Sequence, residues 1–296
     1  MNTILYATDY SEKSVAALHY AYGLSKKLNA QLVAIHVFDM QINWASAVSL
    51  TYSRREVKAF AKDKEKLQAY CARHLGNDPD KLNISIKIVE DETIWEGILE
   101  KADETETDLI VVGTKGDSPL RKFFLGSTAA ALIEKAYCPV LAIPLGTKYN
   151  ELQLIVYASD FEGSDIFTIE DLVRLAEPFD AEIRLVHITD KDKKTAEDQL
   201  HWFKNMLRHK VVYKKTRFDL RYGEDIFAAL QNYVNEIEPD MIVMLEREGH
   251  GLIKDLRHRD LVKRMKSEGH FPLLSFNKKN IGREQRRGQE FGEQKI

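Results

Sequence analysis

The chain has 296 residues, of which 44% are hydrophobic and 30% charged, with 43 basic against 46 acidic side chains and a formal net charge of -3. That balance excludes a strongly basic nucleic-acid binder, and no run approaches the roughly 20 apolar residues of a membrane-spanning helix. The two cysteines, Cys71 and Cys138, have no C-x-x-C spacing, which argues against a metal site and against a disulfide framework.

The pattern enters a strand at once, without the basic, apolar and small-residue regions of a secretory signal, so the expectation is a cytoplasmic protein. Strands are expected near 3–8, 31–38, 84–89, 108–112 and 140–143, and helices near 12–28, 53–75, 93–105 and 127–136. Short apolar runs alternating with longer helical patterns mark βαβ units, and continuous runs such as "LIVV" and "VLAI" mark strands covered on both faces. A turn-rich "LGTKYN" follows, and then the chain repeats itself.

"ILYATDY" (4–10) returns as "IVYASDF" (155–161), and "NAQLVAIHVFD" (29–39) returns at the same offset as "DAEIRLVHITD" (180–190). "TDLIVVG" (107–113) matches "PDMIVML" (239–245), and "CPVLAIP" (138–144) matches "FPLLSF" (271–276). The reading is α/β, with two tandem doubly wound parallel five-stranded domains at 1–146 and 151–277, followed by a polar tail at 278–296. The second copy is shorter between its second and fourth strands, with a helix near 193–209.

Ligands of doubly wound sheets bind beyond the carboxyl ends of the strands, where connections diverge to opposite faces. Three stretches of the first copy meet there: "YATDYSEKS" with Asp9 and Ser11, "IHVFDM", and the loop "GTKGDSPLRKFFLGST" after strand four. Gly113 and Gly116 allow positive φ and close approach to a ligand. Gly126 leads into a helix start at Ser127 and Thr128, whose amides favour an anion, with Lys115, Arg121 and Lys122 adding charge. Neither the P-loop nor the dinucleotide fingerprint is present. The spacing present is G-x2-G-x9-G-[ST], through Gly113, Gly116, Gly126 and Ser127.

With this motif and the "ATD" strand end, the sequence resembles the ATP-binding branch of the universal stress protein family, across both copies. The resemblance implies a Rossmann-like, adenine nucleotide alpha hydrolase-like fold. It implies Asp9 beside the adenosine, Ala7 and Val37 bordering the adenine with Thr8 alongside, and Gly113, Thr114, Lys115, Gly116, Gly126, Ser127 and Thr128 on ribose and phosphates. The ligand implied is ATP, or ADP or AMP in its place, with Mg²⁺ as an optional companion. It also implies association through the fifth strands, 140–143 and 273–276, within the chain or in a homodimer, and an unidentified protein partner.

The second copy keeps Asp160 at its first strand end. Where the first has its glycines it has "LEREGHGLIKDLRHRD", with Leu245, Glu248 and His258 at or near the matching positions, and Glu246 and Glu248 repel phosphate. It is expected to be a structural partner. His36 and His187, at equivalent strand positions, read as core or edge histidines, and 250–270 as an amphipathic helix with a charged outer face. The function expected is nucleotide-dependent conformation or partner binding in a stress response. The rivals are a structural adaptor and a slow ATP hydrolase, for which Asp9, Asp117 and Glu12 are the only acids in reach.

Overall fold

A computed structural model describes residues 1–38, 50–114, 126–246 and 271–277, with 50–59 as backbone only. In chain order its first part runs β1 (Thr3–Ala7), α1 (Glu12–Leu28), β2 (Gln31–Phe38), α2 (Leu50–Leu75), β3 (Ile84–Glu90), α3 (Ile94–Glu104), β4 (Leu109–Gly113), α4 (Ser127–Lys135) and β5 (Val140–Ile143). It continues with β6 (Leu154–Ala158), α5 (Gly163–Ala176), a 3-10 turn at Glu177–Phe179, β7 (Glu182–Thr189), α6 (Lys193–Lys210), β8 (Thr216–Tyr222), α7 (Ile226–Ile237), β9 (Met241–Glu246) and β10 (Leu273–Asn277).

The ten strands form one sheet in the order β3-β2-β1-β4-β5-β10-β9-β6-β7-β8. Each half, β1–β5 and β6–β10, is parallel, and the halves join where β5 and β10 pair antiparallel, Leu274 opposite Leu141. Side chains alternate across the pleat, so Ile4 and Tyr6 of β1 enter one apolar layer while Leu5 and Ala7 enter the other. The first layer is roofed by α1, α2, α5 and α6 through Leu18, Leu67, Leu172 and Phe203. The second is roofed by α3, α4 and α7 through Ile98, Leu132 and Leu230.

The repeat is written into the backbone as well. Three pairs of non-glycine residues at matching points take left-handed φ: Tyr10 and Phe161 after the first strand of each half, Asn29 and Asp180 after the helix that follows, and Glu106 and Glu238 before β4 and β9. Asn29 ends α1, its amide and that of Ala30 bonding back to Lys26 and Ser25 carbonyls, which reverses the chain into β2.

Candidate functional site

In the first half the strand order reverses beside β1: the chain leaves β1 for α1 on one face and β4 for α4 on the other. The crevice of a doubly wound sheet lies there, beyond the carboxyl ends of β1 and β4.

The β1 end is a built turn. Thr8 donates its amide to the Ile35 carbonyl at 3.0 Å, its Oγ1 accepts the Tyr10 amide at 3.0 Å, and its carbonyl accepts from His36 Nδ1 at 2.8 Å. A carbonyl only accepts, so Nδ1 carries the proton. Tyr10 is thereby held at φ 64°, its ring 4.2 Å from that of His36, with Lys66 Nζ 3.9 Å away on an aromatic face. The second half repeats the device: Ser159 Oγ accepts the Phe161 amide at 2.9 Å, and His187 Nδ1 donates to the Ser159 carbonyl at 2.8 Å.

Asp9 follows. Its Oδ1 accepts from the Ser11 amide at 3.0 Å, Ser11 Oγ at 2.6 Å and Ser14 Oγ at 2.6 Å. Burial pushes the Asp9 carboxyl up, but the hydrogen bonds from Ser11 and Ser14 outweigh it and hold the group below its ordinary value. Asp9 is thus an ionised acceptor that organises the first turn of α1, and its lowered proton affinity makes it a weak general base. The three donors leave Ser11, the N-cap, without a side-chain cap bond of its own.

On the other side of the crevice, β4 ends at Gly113, paired with Ile143. Gly113 does not take positive φ, contrary to expectation. A Cβ there would lie 2.6 Å from the Lys13 carbonyl oxygen and 3.2 Å from Ser14 Cα, so glycine is required for α1 to lean on β4. Thr114 bonds its amide to the Ile143 carbonyl at 3.0 Å, while its Oγ1, on a residue only 1% exposed, has no hydrogen-bond partner among the described residues.

Gly126 is the N-cap of α4, at φ -58°, so Ser127 and Thr128 occupy the first two helical positions, and the N-cap residue itself has no side chain to cap the helix. Its first amides point outward with the positive end of the dipole. Ala7 and Val37 are nearly buried in the layer under α3 and α4. A Cβ at Gly97 of α3 would come within 2.9 Å of Val37 Cγ1, so α3 seats tightly on Val37. Lys115, Gly116, Asp117, Arg121 and Lys122, with Glu248, His258 and the helix expected over 250–270, lie outside the described residues, as does the tail.

Residues unmarked in the sequence reading also build this region. Ser14 is one. Asp165 is its counterpart at the shared offset: fully buried, it accepts from Tyr157 OH at 2.7 Å, Ser159 Oγ at 2.8 Å and the Glu162 amide at 3.0 Å. In the second half, then, the carboxylate that organises the helix start is Asp165 inside the fold. Asp160 at the strand end holds Gln199 through its carbonyl, at 2.7 Å. Aligning "DYSEKS" with "DFEGSD" was the available signal. Leu245 stands opposite Phe276 as Gly113 stands opposite Ile143, and it is buried.

Comparison with known proteins agrees with this architecture. The model of the universal stress protein family matches residues 1–144. A universal stress protein of Methanocaldococcus jannaschii is 30% identical over 142 residues, covering 47% of this chain and 80% of the relative. The Bacillus subtilis universal stress protein YxiE is 32% identical over 157 residues, covering 48% of this chain and 98% of the relative. A solved universal stress protein from Archaeoglobus fulgidus shares the fold along nearly the whole length, with a TM-score of 0.70 at 16% identity over 94% of this chain and 98% of its own. The chain belongs to the universal stress protein family.

Proposed function

We propose that the first half binds one adenine nucleotide, ATP in the first place, and that the second half serves as its structural partner. The observation that carries this reading is the start of α4, a helix entered through Gly126, whose lack of a side chain leaves the N-cap position without a capping group of its own, at the edge where β1 and β4 diverge. Amides at a helix start in a doubly wound crevice suit a phosphate. The buried Thr114 hydroxyl, without a partner among the described residues, supports it.

In this reading Asp9 and Thr8 border the adenosine, and Ala7 and Val37 form the apolar wall at the adenine. Gly113, Thr114, Lys115, Gly116, Gly126, Ser127 and Thr128 serve ribose and phosphates. Leu245 and Glu246 in the second half offer no such cradle. Nucleotide occupancy then shifts conformation or partner binding in a stress response. Hydrolysis is disfavoured because the three donors on Asp9 Oδ1 lower its proton affinity, which leaves it a weak general base.

The test is calorimetric titration of ATP with Mg²⁺ into the full chain and into Gly126→Asp. The new carboxylate caps α4, adding a few tenths of a kcal/mol of stability, while opposing phosphate. We expect about one site per chain and a loss of at least about tenfold in affinity in the variant. Undiminished affinity in Gly126→Asp would sink the phosphate assignment, and absence of binding to the unaltered chain would sink the nucleotide.

A further inference from the structure

Residues 145–151, within the connection between β5 and β6, lie along helix α1 and are fastened to it. The ring of Tyr149 rests on Gly23: a Cβ at that position would be 2.3 Å from the ring's Cε1 and Cζ. Tyr20, one turn earlier, meets the same ring edge-on with centroids 5.2 Å apart. A groove of about 930 Å³ runs between helix and connection, lined by Val15, His19 and Tyr22 on one side and Leu145, Thr147 and Lys148 on the other.

Both ends of α1 are also engaged. At its first turn the Lys13 carbonyl abuts Gly113. In its last turn Lys27 pairs with Glu151 at 3.2 Å, and its Nζ lies 5.4 Å from the ring centre of Phe179 in the second half. The helix is about 25 Å long at 1.5 Å per residue. Its contacts at Gly113 and Gly23 have no slack, since each fills the space of a missing Cβ, so a shift of the first turn is carried along the helix rather than absorbed by a side chain.

We infer that α1 is a lever between the crevice and the connection joining the two halves, and that Tyr149 seated on Gly23 is its latch. The inference deepens the nucleotide reading and rests on it: a ligand bridging the Asp9 turn and the β4 end steadies the first turn of α1, and the latch tightens with it.

Trypsin reports on the latch directly, because Lys148 is exposed and immediately precedes Tyr149. Gly23→Ala places a methyl group under the ring and leaves the scissile sequence untouched, and alanine is a better helix former than glycine, so the variant folds. Cleavage after Lys148, followed by fragment mass without nucleotide, is expected to be about tenfold faster in Gly23→Ala. Saturating ATP with Mg²⁺ should slow that cleavage about threefold in the unaltered chain and leave it unchanged in the variant, with binding checked by calorimetry in both. Equal cleavage rates without nucleotide would remove the latch. Bound ATP with unchanged cleavage in the unaltered chain would remove the lever and leave the nucleotide site standing. No heat of binding would remove the nucleotide reading and the lever together, while the comparison of Gly23→Ala with the unaltered chain still decides the latch.

Discussion

Gly113 was legible as an unusual residue, but the packing contact that requires it was not. Sequence pattern points to a glycine that spares room for a ligand, whereas its Cβ position is already claimed by the Lys13 carbonyl oxygen, from a helix a hundred positions earlier in the chain. A contact of that kind has no local signature. Gly113→Ala should therefore lower stability by about 1–3 kcal/mol through overpacking before any effect on ligand, and denaturant unfolding without nucleotide checks it. An unchanged midpoint would show that α1 yields.

The histidines were read as core or edge residues of their strands, and the bonds that use them were not foreseeable from one sequence. His187 is kept neutral, its basicity lowered first by burial, which the Ser159 carbonyl only partly offsets. Its folded-state pKa thus lies below the ordinary 6.5, and the unfolded chain binds the extra proton. The stability that this neutral imidazole contributes is complete above about pH 6.5 and declines as the pH falls from there toward the folded value. His19, lowered by burial and then by His74, adds in the same direction. Unfolding free energies between pH 7.5 and 5 should fall, with a shallower slope in His187→Asn; an identical slope would show that His187 takes no part.

At the scale of elements, helix and strand limits were largely legible, because 3.6 and 2.0 periodicities are local: α1 and β2 fall on 12–28 and 31–38 as the pattern predicts. Capping was not, because α1 and α5 solve the same problem with acids at different places, Asp9 before the helix and Asp165 inside it. The difference predicts unequal costs. Asp165→Ala strips three donors, two of them buried, of their acceptor and should cost about 3 kcal/mol. Asp9→Ala removes a half-exposed turn acceptor and should cost about 1 kcal/mol. Chemical denaturation of the two variants distinguishes them, and equal losses would mean that the buried network adds nothing beyond an ordinary cap.

For the whole molecule, the repeated segments pointed to two copies, and the family resemblance implied contact through the fifth strands, where β5 and β10 pair. What the pattern could not supply was the register, Leu273 on Ala142, Leu274 on Leu141 and Ser275 on Val140, since pairing across the junction depends on how both layers pack. Leu274 is fully buried there, within a layer shared by both halves. Leu274→Ala should cost about 2–5 kcal/mol and loosen the coupling between halves. Fluorescence of Trp95 and Trp202, one in each half, would follow it in chains carrying one or the other. A single shared transition in the parent should become two, and persistence of one transition would place the coupling elsewhere, along α1 and the connection.

The junction has a consequence for symmetry. When two identical chains pair edge to edge, every substitution appears on both sides of the axis, so neither side can specialise alone. Here both sides belong to one chain, and leucine can stand at 245 while glycine stands at 113 without disturbing the seam between them. A visitor approaching this molecule meets two unlike ends, and the chain itself, rather than chance docking, decides which one it finds.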